Sequence, residues 1–197
     1  RRLDAFLTDS PSQRDALAPF TRWLRRHQLS TLRVEFRPSR LEGRHYESDH
    51  RWQMARRFLT DSDMDSKTRA AGLLVLLYGI QLTRIITLTR DQVDATSQPV
   101  KLTIGAEPIE LPKILGDAII DLVDASMRHP EGWLYRGRNP GLHLTPGPIS
   151  RRLRAEGLRS GSARTTTLIE LTRQMHPRIV SDLLGITPAS AAAWSRL

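Results

Sequence analysis

The residues of this chain best suited to chemistry are arginines grouped in its last third. Five of them lie close together: Arg151, Arg152, Arg154, Arg159 and Arg164. A guanidinium presents N–H donors in a planar fork that matches the oxygens of a phosphate. The group therefore predicts binding to a polyanion, with Arg151 and Arg152 as the first candidates for direct contact. The alternatives are a solvated helix face and, for Arg164, an internal salt bridge with Glu170 or Asp182.

Residue types for nucleophilic or metal chemistry are sparse. The chain has no cysteine, which excludes disulfides and cysteine metal sites. Its six histidines form no i, i+4 pair with a carboxylate partner, so we predict neither a metal site nor a cofactor. His143 and His176 read as ordinary loop and helix-end histidines. Every tyrosine lies at or before Tyr135, and Ser195 has no surrounding groups that would activate it.

The net charge indicates what kind of partner the arginines serve. The chain carries a formal charge of +9 and has a pI near 11. Its only lysines are Lys67, Lys101 and Lys113. A GC-rich genome would explain the choice of arginine over lysine, but the excess of charge on a globular composition is typical of a nucleic-acid-binding protein. A ribosome-associated protein or one bound to an anionic membrane surface would look similar.

The chain shows no segment that would take it into a membrane or out of the cell. The longest apolar stretch, 70–80, has the length of a buried helix rather than of a membrane span. With no secretory signal, we expect a cytoplasmic, nucleoid-associated protein. Because the sequence begins at Arg1 and not at methionine, we interpret it as a piece of a longer chain.

The elements that must position these residues are predicted to be mostly helices. Apolar periodicity and capping signals place helices at 12–28, 48–60, 66–78, 83–88, 112–127, 146–156, 163–174, 177–184 and 188–197. Two short strands at 100–104 and 108–111 flank a tight turn. In the helix from Ser48 the expected buried side chains are Trp52, Ala55, Phe58 and Leu59. Thr145 and Thr187 are expected to cap the helices that follow them.

Three blocks, in this order, resemble the catalytic domain of the tyrosine recombinase (phage integrase) family. Residues 77–88, LYGIQLTRIITL, are similar to the family's Thr-Gly-Leu-Arg-Ile-Ser-Glu-Leu-Leu-x-Leu. The hairpin over 100–111 leads into a helix, as in the family. Residues 162–185 follow its His-x-x-Arg and Leu-Gly-His motifs. The resemblance implies a catalytic-like domain over 41–197, mainly α with a small hairpin or sheet, after part of a helical core-binding-like domain over 1–40.

The resemblance also implies where a reactive site would lie. In the family a tyrosine attacks a phosphodiester while two arginines, a lysine and histidines stabilise charge and move protons. The matching positions here hold Gln81, Gly161, Arg164, Ile186 and Trp194, so only the second arginine is present. The hairpin offers no matching lysine, since Lys101 precedes its turn. Losing one charge-stabilising donor costs a factor of about 10² to 10³ in rate, and we therefore expect no catalysis.

Without catalysis, the function that the resemblance still implies is binding to double-stranded DNA. The arginine-bearing helix from Pro146 matches the family helix that approaches the major groove. The segment 180–194 has the sequence pattern of a helix-turn-helix, with Gly185 and Ile186 in the turn. Its second helix is rich in alanine and nearly uncharged, which favours a packing helix over a recognition helix. Such a helix would also suit docking between protomers, and so a homo-oligomer.

Three hypotheses remain at this level. The first is a catalytically inert DNA-binding protein on a recombinase-like scaffold, with an architectural, regulatory or accessory role. The second is a divergent, active site-specific recombinase whose nucleophile lies outside the recognised motif, for example after Leu197. The third is a basic interaction module whose target is not DNA.

Overall fold

The computed structural model describes residues 48–196, which belong to one compact unit. The predicted helix at 12–28 and the predicted domain over 1–40 lie outside the described residues. The helices are α1 (Ser48–Thr60), α2 (Ser66–Tyr78), α3 (Leu82–Ile85), α4 (Lys113–Ser126), α5 (Pro146–Ala155), α6 (Ser160–Gln174), α7 (Pro177–Leu184) and α8 (Pro188–Trp194), and the strands are β1 (Val93–Asp94), β2 (Lys101–Thr103) and β3 (Pro108–Glu110).

Helix α2 is the centre of the core, as its apolar sequence predicts. It packs against α1, α4 and α6, and its residues from Ala70 to Leu76 are buried without interruption. The Asp65 carboxylate caps its first turn by accepting from the N–H groups of Lys67 and Thr68, both at 3.1 Å. Gly79 ends the helix in the left-handed conformation, with φ at 64°. The predicted bounds of 66–78 are therefore confirmed.

Helix α1 occupies its predicted position but buries a different face. Trp52 is 46% exposed, so its prediction as a core residue is wrong, whereas Ala55 and Phe58 are buried as expected. The neighbouring Arg51 is buried instead, at 3% exposure. Its guanidinium donates to the Leu76 carbonyl and pairs with Glu170 on α6. A buried arginine is stable only when it is paired, and Glu170 meets that condition here.

The small sheet has three antiparallel strands in the order β1-β2-β3. The two predicted strands form as expected, with Leu102 opposite Ile109 and both buried. Strand β1, which was not predicted, adds to the outer edge of β2 and pairs Val93 with Leu102. Two residues are too few to give an alternating pattern, so the sequence carried no signal for this strand.

The turn of the β2–β3 hairpin docks on the end of α7. The Ala106 N–H donates to the Asp182 carbonyl at 2.7 Å, and a side chain on Gly105 would collide with the same oxygen. Arg84 from α3 donates to the Gly185 carbonyl at 2.9 Å and to the Ile104 carbonyl. The hairpin and the C-terminal helices are thus held together through one guanidinium.

The architecture is therefore mainly helical with a small antiparallel sheet, which confirms the predicted fold class. Helix α3 ends at Ile85 and not at residue 88, and α8 ends at Trp194 rather than at the predicted 197. Helix α6 begins at Ser160 and not at Ala163. This difference matters because it places Gly161 and Arg164 on one helix. No helix among residues 48–196 combines the length and the apolar character that a membrane crossing needs.

Candidate functional site

A cleft of about 390 Å³ lies where the start of α3 meets the first turns of α6. It is lined by Ile80, Gln81, Leu82, Thr83, Ser160, Gly161, Arg164 and Thr165. Three positions singled out in the sequence, Gln81, Gly161 and Arg164, thus meet in one place although they come from blocks about eighty residues apart. The packing of α6 along α2 brings them together, and the Thr167 hydroxyl fixes that packing by donating to the Leu76 carbonyl at 2.9 Å.

Gln81 and Gly161 leave two sides of the cleft without charge. Gln81 stands at the N-cap position of α3, is exposed and makes no capping hydrogen bond with its side chain. Gly161 lies in the first turn of α6, and a β-carbon built on it would have no neighbour within 4 Å. An amide and an open space cannot supply the charged donors that a phosphoryl transition state requires.

Arg164 is the one guanidinium among the residues that line the cleft. Its Nε is buried without a hydrogen-bond partner, and burial lowers its pKa below the ordinary value for arginine. The predicted salt bridge of Arg164 with Glu170 or Asp182 does not form. Glu170 pairs with Arg51, and Asp182 accepts from Arg178 at 3.0 Å.

Ile186 and Trp194 are apolar and do not belong to the lining of this cleft. Both pack against a small cluster of buried residues, Leu168, Val180 and Leu184. The guanidinium carbon of Arg164 lies 5.9 Å from the centroid of the Trp194 ring, within the range of a cation–π contact. Neither side chain can transfer a proton or attack phosphorus.

The two tyrosines in the described part of the chain serve the core and not the cleft. Tyr78 donates to the Glu110 carbonyl at 3.0 Å, and burial raises its pKa to about 12. Tyr135 is fully buried and donates to the Lys67 carbonyl at 3.1 Å, and burial together with the charge of Asp65 raises its pKa as well. Tyr46 lies outside the described residues.

Helix α5 presents the arginines that the sequence predicted for polyanion binding. Ile149 and Leu153, one turn apart, bury one side of the helix against the core. The opposite side leaves its arginines exposed: Arg151, Arg152 and Arg154. Thr145 stands at the N-cap position as predicted, but its side chain makes no capping hydrogen bond. Arg159, in the connection to α6, is exposed as well.

Ion pairs distinguish the members of this arginine group. Arg152 lies 3.5 Å from the Asp65 carboxylate, whereas Arg151 and Arg154 form no ion pair among the described residues. Glu156 is the sole acid between positions 146 and 164, and it pairs with Arg57 on α1. The Glu156 carboxylate is therefore paired with α1, and no acid between positions 146 and 164 is left to pair with Arg151 or Arg154.

The hairpin contributes no cation to the cleft. Lys101 lies on β2, 3.9 Å from the Glu110 carboxylate across the strand pair, and is absent from the cleft lining. Within residues 48–196, no group of three or more histidine and acidic side chains is arranged to hold a metal ion.

Three functional features were not anticipated from the sequence. Arg84 donates to the carbonyls of Ile104 and Gly185, the buried Arg51 pairs with Glu170, and Arg164 contacts Trp194. Each of these interactions joins elements that are distant in the chain. Arg84 alone had a signal, because it stands where the family motif in block 77–88 has a glutamate. Reversal of charge at a motif position indicates a new partner for that side chain.

Two solved structures have a fold similar to that of this chain. The crystal structure of XerA recombinase superimposes with a TM-score of 0.56 at 16% identity, covering 78% of this chain and 60% of that one. XerH site-specific recombinase, bound to its difH substrate in a pre-cleavage complex, gives 0.55 at 14% identity, covering 78% and 50%. The chain thus spans half to three fifths of the length of these proteins. No protein-family model and no curated protein sequence matches the chain.

Proposed function

We propose that this chain is a DNA-binding protein on a tyrosine recombinase fold that does not cleave DNA and serves recombination as an architectural, regulatory or accessory factor. The fold itself follows from the likeness to the two recombinases. The observation that carries the absence of cleavage is the cleft, where Gln81, Gly161 and Arg164 meet with a single guanidinium among them.

The chemistry of phosphoryl transfer supports the inert half of the proposal. Negative charge grows on the non-bridging oxygens as the phosphodiester is attacked, and preorganised cations must meet it. Arg164 is one such cation, but its Nε is enclosed and Trp194 stands over its guanidinium. Each absent donor costs a factor of about 10² to 10³ in rate. Restoring a nucleophile alone would therefore not restore cleavage.

The distribution of charge supports the binding half. The exposed arginines of α5, Arg151 and Arg154, project from a rigid helix anchored by two buried aliphatic residues. Because the helix backbone is already ordered, only the side chains lose conformational freedom when they bind phosphates. XerH, whose fold is similar, is bound to its DNA substrate in its crystal structure. The net charge of +9 adds long-range attraction to a polyanion.

The binding half is tested by titrating a labelled duplex with the protein at several salt concentrations. Neutralising about six phosphates would give a slope near −5 in a plot of log affinity against log salt. An Arg151→Ala, Arg154→Ala double variant should have a slope about two units shallower. Affinity that does not change with salt would favour a module whose target is not DNA.

The proposed absence of DNA cleavage is tested with nicked suicide duplexes, which trap a covalent protein–DNA intermediate. We expect no trapped complex with the wild-type chain, and none with Trp194→Tyr, because Gln81 and Gly161 still lack the required charge. A covalent complex with the wild-type chain would instead support a divergent, active recombinase.

A further inference from the structure

A second hairpin, the basic hairpin of residues 135–144, connects α4 to α5 and is closed by an antiparallel bridge. The Gly137 N–H donates to the Leu142 carbonyl at 2.8 Å, so these two residues face each other across the hairpin. A β-carbon on Gly137 would lie 2.6 Å from the His143 carbonyl oxygen, which requires glycine there. Leu142 therefore has no cross-strand side chain to pack against, and it is 58% exposed.

The basic hairpin is fixed to the rest of the fold at its base and at its tip. At the base, Tyr135 is fully buried and donates to the Lys67 carbonyl at 3.1 Å. At the tip, Nε1 of Trp133 donates to the Gly141 carbonyl at 3.1 Å. Leu142 is thus presented to solvent by an ordered support, which lowers the entropic cost of using it in binding.

The side chains around Leu142 are cationic. Arg136 and Arg138 are exposed, and neither forms an ion pair in the part of the chain that the structure describes. Arg136 donates to Nε2 of His129 at 2.8 Å, and an imidazole that accepts carries no charge. From the end of α4 to the end of α5 the chain has six arginines and one acid, Glu131. A polyanion would pair with these charges, whereas an apolar protein surface would have to bury them.

The arginines of α5 lie next to the basic hairpin. Arg151 is directed back towards the beginning of α5, with Nη1 4.0 Å from the position of a β-carbon on Gly147 in the first turn. Tyr135, at the base of the hairpin, bonds to the first turn of α2. Arg152 pairs with Asp65, which caps that same turn. The hairpin and α5 therefore form adjacent parts of one basic surface.

The dimensions of DNA favour different grooves for the two elements. The major groove is about 12 Å wide and admits a helix, whereas the minor groove is about 6 Å wide and admits single side chains. One phosphate backbone separates the two grooves, so an element joined to the end of a helix in the major groove faces the neighbouring minor groove. Proteins that bind the minor groove use arginines and insert apolar side chains between base steps. Leu142, flanked by Arg136 and Arg138, meets both conditions.

We propose that Leu142 is an apolar wedge that enters the minor groove beside α5, partly unstacks one base step and bends the duplex. Arg136 and Arg138 pair with phosphates beside the wedge. The inference rests on the proposed function, because it requires that the chain binds duplex DNA. It adds a specific action on that DNA, a local deformation, which gives an architectural role a physical basis.

Bending is measured by energy transfer between dyes at the two ends of a short, A·T-rich duplex with a central TA step, which kinks easily. We expect the wild type to bend this duplex by about 20–90°. Leu142→Ala should leave it nearly straight, with an unchanged salt slope because no charge is lost. Ile179→Ala shortens another exposed aliphatic side chain, on α7, and should bend the duplex as the wild type does.

Two further measurements locate the wedge. Netropsin, which fills the minor groove at A·T pairs, should abolish the bend produced by the wild type. Arg138→Ala should make the salt slope about 0.9 shallower. A bend that persists in Leu142→Ala or at saturating netropsin overturns the wedge, and an unchanged slope in Arg138→Ala would remove the basic hairpin from the DNA interface.

The same titrations separate the wedge from the proposed function. If the wild type binds the duplex with salt-dependent affinity but leaves it straight, the proposed function stands and the wedge is wrong. If the wild type does not bind the duplex, both are wrong. A bend that is lost in Leu142→Ala and kept in Ile179→Ala supports both.

Discussion

Arg152 Nη1 lies 3.5 Å from Oδ1 of Asp65, the residue that caps the central helix. All three arginines of α5 are exposed, but among the described residues Arg152 alone of the three has a carboxylate partner. We predict that Arg151→Ala weakens binding to duplex DNA and lowers the salt slope by about 0.9. Arg152→Ala should have the smaller effect, because Arg152 must leave its partner before it can reach a phosphate.

Fluorescence anisotropy with a labelled duplex measures both effects. The free energy of unfolding should fall by at most about 1 kcal/mol in Arg152→Ala, since both partners are more than half exposed. Equal losses of DNA affinity in the two variants would show that Asp65 does not restrain Arg152.

Asp65 is predicted to stabilise α2 in a pH-dependent manner. Burial opposes its ionisation, but the hydrogen bonds from Thr68, the charge of Arg152 and the N–H of Lys67 outweigh it and lower the pKa. A lowered pKa means that the stabilisation is complete above the ordinary aspartate pKa and is lost as the pH falls through the folded value.

Asp65→Ala should lower the free energy of unfolding by about 0.5–2 kcal/mol at neutral pH, the usual cost of a lost helix cap. The difference from the wild type should shrink in acid. Urea unfolding at pH 7 and pH 3 measures both, with Asp63→Ala as the exposed control. A difference that grows in acid would contradict the assignment.

Removing one partner of the buried Arg51–Glu170 pair should lower the free energy of unfolding strongly. Replacing both partners by apolar residues should lower it much less. The side chains of the pair are 4% and 18% exposed. Arg51→Met leaves Glu170 buried and unpaired, and we expect a loss of about 3–5 kcal/mol. The Arg51→Met, Glu170→Leu double variant should recover most of that loss, because no charge is left without a partner. Chemical denaturation of the wild type and the two variants measures both changes; a double variant as unstable as Arg51→Met would refute the electrostatic origin.

Two glycines should respond to alanine in opposite directions. At Gly161 the new methyl group meets empty space in a helical turn, so stability should rise by about 0.4–1 kcal/mol. At Gly105 it would lie 1.9 Å from the Asp182 carbonyl oxygen, and separating the hairpin from α7 should cost about 1–3 kcal/mol. Thermal unfolding distinguishes the two. The same sign at both sites would contradict the packing described.

Arg84 should control the mobility of the hairpin turn. Arg84→Met removes two hydrogen bonds to backbone carbonyls, and we expect a loss of about 1–3 kcal/mol. Hydrogen exchange at the Ala106 amide, which bonds to Asp182, should accelerate relative to amides of α2. Arg56→Met, at an exposed position of α1, is the matched control. Unchanged exchange at Ala106 would mean that the hairpin is held by its own backbone contacts.

Elements governed by local rules could be predicted from the sequence. Helix α2 has an N-cap aspartate, a glycine at its end and apolar residues between, so its bounds of 66–78 were correct. Helix α7 was also placed correctly, since Pro177 and Gly185 mark its limits. The meeting of Gln81, Gly161 and Arg164 was anticipated only because the resemblance to the recombinase family implies that these positions share one site.

Features decided by tertiary contacts could not be predicted in this way. Trp52 stands on the apolar stripe of its helix, yet Arg51 takes the interior position because Glu170 and the Leu76 carbonyl accept hydrogen bonds from it there. An analysis of hydrophobic periodicity considers only the spacing of apolar residues, so it cannot detect an ion-pair partner 119 positions away. Similarly, the approach of Trp194 to Arg164 depends on the turn at Gly185, whose direction no local pattern specifies.

Gly161 is a poor helix former near the beginning of a fifteen-residue helix, and no neighbouring atom requires its small size. Folding alone would therefore tolerate almost any side chain there, and would be helped by many. A side chain at this position would instead extend into the space beside the cleft that Gly161 lines. The absence of a side chain here thus shapes the cleft and contributes nothing to the packing of the helix.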